Sequence, residues 1–109
     1  VVTALDVADG VFMCIKDRNS RFLWANENFV RLIGKTKQEI IGSIDTNEEH
    51  TAHDRDVMES GRPLLNFHES IDVVLGTSAE SVDITVQKGL LRKDGQIVGV
   101  TVCFALDNP

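Results

Sequence analysis

Residues 22–42 read FLWANENFVRLIGKTKQEIIG, and the spacing of the hydrophobic residues changes part-way through this stretch. Before Asn26 they alternate, as in a strand whose Phe22 and Trp24 share one face. After Asn26 they recur at the i, i+3, i+4 spacing of one helical face. These helical positions are Phe29, Leu32 and Ile33. The stretch therefore predicts a strand that ends near Asn26 and a short helix that follows it.

Both helices predicted in this stretch have recognisable ends. Asn26 can accept a hydrogen bond from the free amides of the first turn, and Gly34 can adopt the left-handed conformation that ends a helix. Thr36 and Glu39 have the spacing of a capping box, in which a hydroxyl and a carboxylate satisfy each other's backbone amides. We therefore expect Glu39 to be structural and not catalytic, either capping its helix with Thr36 or pairing with a cation such as Lys16.

The order and spacing W-A-N-E-N-F-x-x-L-x-G-x-x-x-x-E-I-I-G resemble the first half of a PAS sensor domain. Near the other end of the chain, the run KDGQIVG at 93–99 looks like the late hairpin of that family. The resemblance covers nearly the whole chain. It implies an α+β PAS fold, with a five-stranded antiparallel sheet in the order 2-1-5-4-3 and short helices on one face. It also implies a cavity between the sheet and the helices.

Length and charge limit the classes of function. With 109 residues, of which 42% are hydrophobic, we expect one domain over 1–109, with a cap segment at 1–10 and the start of a linker at 107–109. A net charge of -6 disfavours direct contact with nucleic acid or anionic lipid. No apolar run approaches the ~20 residues of a membrane helix, and no signal segment begins the chain. These features predict a cytoplasmic domain without membrane insertion.

Alternation within the strands assigns residues to the two faces of the sheet. In the strand predicted at 11–16, Met13 and Ile15 share one face and Cys14 lies on the other. On the last strand the core-facing residues are Val100, Val102, Phe104 and Leu106, and the opposite ones are Thr101, Cys103 and Ala105. The opposite face is too apolar to lie in water, so we expect a flanking helix or a second subunit, and hence a homodimer, to cover it. Cys14 and Cys103 are expected to be buried thiols, with a disulfide between them as the alternative.

Hydrophobic residues that face the implied cavity are the candidates for binding a small ligand, although most are expected to be simply core. They are Met13, Ile15, Trp24, Phe29, Ile33, Met58, Leu65, Phe67, Ile84, Val100 and Val102. Three polar residues on apolar strands, Asn66, His68 and Thr101, could orient a ligand, but ordinary alternation places such residues outward. The segment 43–60 has few hydrophobic anchors and is predicted to be the entry gate of the cavity.

The sequence carries no signature of a catalytic or phosphate-binding site. The motifs G-x-S-x-G, G-x-G-x-x-G, H-E-x-x-H and C-x-x-C and the P-loop are all missing, which predicts that this domain is not an enzyme. Flavin-binding relatives of the PAS family carry a reactive cysteine after the second helix, where this chain has Ser43-Ile44-Asp45-Thr46. Flavin is therefore not expected.

Haem is the one cofactor that the sequence leaves open. His50 stands eleven residues before Gly61, as the proximal histidine does in haem-binding oxygen sensors of the PAS family. The residues that would pack over the porphyrin include the polar His53 and Asp54, so we expect a solvent-facing His50 and a colourless domain. A divalent metal bound by His50, His53 and Asp54 has helical spacing but is a weaker alternative, and no metal site is predicted.

The resemblance implies a sensory or regulatory domain of a multidomain signalling protein. The output domain in the same parent chain would be a histidine kinase, a diguanylate cyclase or a helix-turn-helix regulator. Binding of a small ligand, dimerisation or both would control that output. The alternatives are a ligand-free dimerisation or protein-interaction module and, less favoured, a haem-binding gas sensor that uses His50.

Overall fold

The strands and helices begin and end close to the points at which the sequence period changes. The computed structural model describes residues 10–75 and 77–107, apart from the side chains at 74 and 75. Its elements in chain order are β1 Phe12–Asp17, β2 Phe22–Ala25, α1 Glu27–Ile33, α2 Lys37–Ile40, α3 Glu48–Ser60, β3 Leu64–Leu75, β4 Ser78–Lys93 and β5 Gln96–Leu106. The cap predicted at the start of the chain falls almost wholly on residues 1–9, outside the described residues, as does the end of the predicted linker.

The five strands form one antiparallel sheet in the order β2-β1-β5-β4-β3, which confirms the predicted topology. The last strand, β5, lies in the middle of the sheet, between β1 and β4. Its Val102 pairs with Cys14 of β1 on one side and with Lys88 of β4 on the other. Residues from the first and the last parts of the chain therefore meet on one face of the sheet.

Asn26 joins the first hairpin to α1. It is fully buried, and its Oδ1 accepts hydrogen bonds from the backbone amides of Phe29 at 2.9 Å and Met13 at 3.1 Å. Its Nδ2 donates to the carbonyl of Val11 at 2.9 Å. The same side chain thus caps the helix and fixes the helix against β1. Gly34 ends the helix with φ 79°, in the left-handed region that was predicted.

The predicted capping box at the start of α2 is present. Thr36 Oγ1 accepts a hydrogen bond from the Glu39 amide at 3.2 Å, and Glu39 Oε1 accepts one from the Thr36 amide at 2.9 Å. The hydrogen bond from the Thr36 backbone amide lowers the pKa of the Glu39 carboxyl, which favours its ionised form. The prediction that Glu39 caps its helix with Thr36 is therefore confirmed. Lys16 pairs with aspartates instead of with Glu39.

The helices pack on the face of the sheet that carries Cys14, Val86 and Val102, and the core lies between them. The fully or nearly buried hydrophobic residues are Cys14, Ala25, Phe29, Val30, Ile40, Val57, Met58, Ile71, Val73, Ile84, Val86, Val100, Val102 and Phe104. Phe29 of α1 meets the ring of Phe104 edge-on at 6.1 Å between centroids. Among the described helices, none has the length and the apolar character that crossing a membrane requires.

Irregular strand pairing changes two of the predicted faces. Between β1 and β2 the register shifts after Ile15, so that Lys16 pairs with Phe22 while Ile15 pairs with Trp24. Because paired residues point to the same side, Phe22 faces the core and Trp24 does not, contrary to the prediction that they share a face. In β3, the register shifts between Leu64 and Phe67, and Leu65 is 65% exposed.

Candidate functional site

A cavity of about 210 Å³ lies between the inner face of the sheet, α1 and the segment that precedes α3. One part of its wall is hydrophobic and is built from the three rings of Phe22, Phe29 and Phe104 together with aliphatic side chains of the sheet and helices. The other part is polar. Its side chains include Lys16, Asp45, His50, Glu69, Asp72 and Lys88. A hydrophobic wall with a small number of fixed polar groups is the usual composition of a small-molecule site.

Four of the eleven residues that the sequence predicted to face the cavity do line it, namely Phe29, Ile33, Ile84 and Val102. Met58 and Val100 are buried core residues that do not line it. Phe67 lines a separate surface groove at the connection between α3 and β3.

The other four predicted residues also lie outside the cavity wall. Leu65 is exposed because of the irregular pairing in β3. Met13, Ile15 and Trp24 do not line the cavity, since the inward positions of β1 are those of Cys14 and Lys16. The three polar candidates Asn66, His68 and Thr101 do not line it either.

Asp54 holds two lysine side chains at the polar wall. Its Oδ1 accepts a hydrogen bond from Lys88 Nζ at 2.8 Å, and its Oδ2 lies 2.6 Å from Lys16 Nζ in an ion pair. Within the described part of the chain, Asp54 Oδ2 has no hydrogen-bond partner, so its contact with Lys16 is an ion pair. The side chains of Asp54 and Lys88 are each 1% exposed, and that of Lys16 is 4% exposed. Buried charges of this kind are tolerated only when they are paired.

Three further residues extend the charged cluster. Asp45 Oδ2 accepts a hydrogen bond from Lys16 Nζ at 2.8 Å. Glu69, whose side chain is 3% exposed, lies with Oε1 3.6 Å from Lys88 Nζ and with Oε2 2.5 Å from His53 Nδ1. The cluster therefore runs from the segment before α3, through the centre of the domain, to the middle of β3.

The charges around Lys16 and the burial of Cys14 set the protonation of both groups. Burial alone would lower the pKa of Lys16, but the nearby carboxylates of Asp54 and Asp45 favour the ammonium form, and the pKa is raised. Lys16 is thus a permanent cation at neutral pH. Burial raises the pKa of the Cys14 thiol to about 12, so this thiol stays protonated. Cys14 and Cys103 are both free thiols, which excludes the disulfide considered above.

His50 lines the cavity, but its geometry does not suit haem. Its Nε2 donates a hydrogen bond to the backbone carbonyl of Ser70 at 2.9 Å, so this nitrogen does not point to an iron position. The cavity of about 210 Å³ is also smaller than the roughly 300–1,000 Å³ of drug-sized ligand pockets, and a porphyrin needs more space than such ligands. The residues present therefore do not fit haem.

The helical metal set considered from the sequence does not converge either. His50 bonds to Ser70, Asp54 to the two lysines, and His53 to Glu69. Glu49, His53 and Glu69 do offer ligand atoms within 4.8 Å of one another. However, Glu69 already binds the His53 ring, and Glu49 is exposed.

The segment from 42 to 47 forms one rim of the cavity and is tied to the edge of the sheet. The Gly42 amide donates to the carbonyl of Phe22 at 2.8 Å, and the Phe22 amide donates to Ser43 at 2.9 Å. The Asp45 amide donates to Ser20 at 2.8 Å. The anchors of this rim are thus hydrogen bonds and the Lys16–Asp45 ion pair, with little hydrophobic contact. Helix α3, with four buried residues, is held more firmly than the sequence suggested.

Sequence reasoning missed the charged cluster altogether, although it left a signal. Lys88 continues the inward alternation of Ile84 and Val86 on β4, and Lys16 shares the inward face of Cys14 on β1. Asp54 lies three residues before Val57 on the buried side of α3. A charged residue that occupies a core position on each of three elements predicts a buried ion cluster.

A family model described as PAS fold matches residues 6–105 of the chain. The chain belongs to the PAS fold family. No curated protein matches the sequence.

Solved structures agree with this assignment of the PAS domain. The Vibrio cholerae VqmA dimer, described among LuxR-type receptors, is similar with a TM-score of 0.79 and 22% identity over 96% of this chain and 50% of that one. VqmA bound to DPO has a TM-score of 0.72 and 23% identity over 87% of this chain and 51% of that one. The PAS domain of the histidine kinase ThkA has a TM-score of 0.64 and 14% identity over 87% of this chain and 98% of that one.

These identities establish a shared fold and no more. The PAS domain spans about half the length of the VqmA chains that it matches, whereas it covers nearly all of the ThkA domain.

Proposed function

We propose that this PAS domain is the sensory part of a longer signalling protein and that it binds a small molecule in the cavity between sheet and helices. The observation that carries the proposal is the composition of the cavity wall. Well-packed cores contain few voids larger than a water molecule, and buried lysine and carboxylate groups along the wall of this one are costly to keep away from water.

The volume limits the size of the ligand. A cavity of about 210 Å³ is somewhat larger than the ~150 Å³ cavity that holds a benzene molecule in a well-known engineered protein. A molecule with one ring and a few substituents therefore matches it. Larger ligands would need the rim at 42–47 to move, which would break the Lys16–Asp45 ion pair.

The central strand offers a route from ligand to output. Val102 and Phe104 of β5 line the cavity, and β5 ends at Leu106. A ligand that shifts these two side chains would bias the position of the residues that follow. Since this domain spans about half of VqmA, whose structures are described with a ligand and target DNA, an output domain in the same parent chain is part of the proposal. We do not favour catalysis by the domain itself.

The second candidate is a dimerisation module that needs no ligand. The outer face of the sheet carries the half-buried residues Met13, Ile15, Trp24 and Cys103, and it is therefore more apolar than the sequence alone indicated. VqmA is described as a dimer, which agrees with this use of the fold. A homodimer is compatible with both candidates, so ligand binding is the property that separates them.

Heteronuclear NMR of the ¹⁵N-labelled domain tests the proposal with a panel of single-ring molecules that are cationic, neutral or anionic. At least one should shift the amides of Phe29, Ile84 and Val102. Val102→Phe and Ile33→Trp should each fill the cavity and abolish the shifts. Val102 is buried and Ile33 is half-buried, so one variant can still be measured if the other fails to fold. Leu65→Phe, at an exposed site, is the matched control. No binding by any member of the panel, or binding that both filled variants retain, would contradict the proposal.

A further inference from the structure

We infer that the ligand of this cavity has a single ring and donates hydrogen bonds, and that it is preferably an amine with a positive charge. Ligands that carry a carboxylate group would be rejected. The inference rests on the proposed ligand-binding function and adds to it the chemical class of the ligand. It follows from which hydrogen-bonding positions in the charged cluster are already used.

Carboxylates of the protein already pair with both lysine ammonium groups. An ammonium carries three donors. Lys16 Nζ contacts Asp45 at 2.8 Å and Asp54 at 2.6 Å, and it lies over the ring of Phe22 at 5.6 Å from the centroid. Lys88 Nζ donates to Asp54 at 2.8 Å and to the carbonyl of His50 at 3.3 Å, with Glu69 at 3.6 Å. An anion entering the cavity would therefore compete with these carboxylates of the protein for the two ammonium groups.

The carboxylates of the cavity wall, in contrast, have acceptor positions to spare. An ionised carboxylate can accept about four hydrogen bonds. Asp45 accepts one from Lys16 at Oδ2 and one from the Asn47 amide at Oδ1. Glu69 accepts one at Oε2 from His53, and its Oε1 is beyond hydrogen-bond distance of Lys88. Both residues line the cavity, so a donor on a ligand can reach them.

The sum of charges points in the same direction. Lys16 and Lys88 face three carboxylates, those of Asp45, Asp54 and Glu69, which leaves one excess negative charge when His53 is neutral. Lys35 and Asp72 also line the cavity and add one positive and one negative charge, so they do not change this sum. Where bulk water screens charges little, an unbalanced charge discriminates between a cation and an anion of the same shape. The hydrophobic part of the wall takes the ring, and the carboxylates take the N–H group.

Three ring-sized probes separate the classes of ligand. Benzylamine is a cation, benzyl alcohol is a neutral donor and benzoate is an anion, and all three carry the same ring. The dissociation constants are measured by the NMR shifts of cavity amides in the wild-type domain. We expect benzylamine to bind at least about tenfold more tightly than benzoate, with benzyl alcohol between them.

Isosteric variants then test whether the carboxylates cause the preference. Asp45→Asn and Glu69→Gln should each weaken benzylamine by about tenfold and strengthen benzoate, while the exposed matched controls Asp83→Asn and Glu80→Gln should leave both within about twofold. Two carboxylates are substituted separately, so that one variant can still be measured if the other fails to fold. Tighter binding of benzoate than of benzylamine, or a preference that neither variant changes, overturns the inference and leaves the proposed function standing. If no probe shifts the cavity amides, the proposed function itself fails.

Discussion

Removal of the Asp54 carboxylate is expected to destabilise the domain more than any change at an exposed acidic residue. Asp54→Ala leaves two buried ammonium groups without their common partner. Lys16 would keep Asp45 at 2.8 Å, but Lys88 would keep only the His50 carbonyl at 3.3 Å and Glu69 at 3.6 Å. The substitution therefore exposes the cost of holding two cations away from water.

The magnitude follows from the burial of the three groups. Breaking a buried ion pair by removing one partner costs about 3–5 kcal/mol, because an uncompensated charge remains. The total free energy of unfolding of a small domain is about 5–15 kcal/mol, so this loss is a large fraction of it. With a urea dependence of about 1.5 kcal/mol per M, the midpoint of urea unfolding should fall by about 2–3 M.

Equilibrium unfolding in urea, followed by far-ultraviolet circular dichroism and by the fluorescence of the single tryptophan, measures this loss. The matched control is Asp56→Ala, two residues further along α3 at an exposed position. Both substitutions change helix propensity equally, so their difference reports the buried charge. The control should stay within about 0.5 kcal/mol of the wild type. A difference of less than about 1 kcal/mol between the two variants would refute the reasoning that Asp54 organises the cluster.

Three other properties of the domain should be measurable. Thr36→Ala removes the helix cap and should lower the free energy of unfolding in urea by about 0.5–2 kcal/mol. Thr77→Ala, in a loop, is the control, and equal stability of the two variants would count against the cap. Burial raises the pKa of Cys14 to about 12, so the thiol ionises from about pH 8.5–9 in the unfolded state but not in the folded state. The unfolded state therefore binds fewer protons above pH 9, and the free energy of unfolding should fall as pH rises from 9 towards 12. For this group the fall is at most about 1.4 kcal/mol per pH unit. A value that stayed constant between pH 8 and pH 10.5 would be inconsistent with that burial. Hydrogen exchange should be faster at 43–47 than at 97–106, and equal protection of the two segments would show that the rim is not the entry gate.

The sequence was sufficient for the order of the elements and for their ends. As helix caps, Asn26, Gly34 and the Thr36–Glu39 pair form hydrogen bonds between residues at most four positions apart, and such interactions are visible in a linear pattern. The strand order followed from the family resemblance, because pairing between β1 and β5 joins residues nearly 90 positions apart that no local period relates.

The cavity wall was predicted less well, for two physical reasons. An irregular pairing after Ile15 rotates Trp24 relative to Phe22, and a bulge changes the side that every later residue of a strand occupies. The second reason is that a buried charge looks like a surface charge in a sequence. The buried Lys16 and Lys88 share the partner Asp54 on α3, and this pairing depends on how a helix packs over the sheet.

A crystal structure of the domain with benzylamine tests the central claim most directly, since it locates both ends of the ligand. We expect the ring to lie among Phe29, Phe104 and Val102 and the amine to lie within about 3 Å of a carboxylate oxygen of Asp45 or Glu69. Electron density for the ring outside this cavity, or an amine that points away from both carboxylates, would contradict the account.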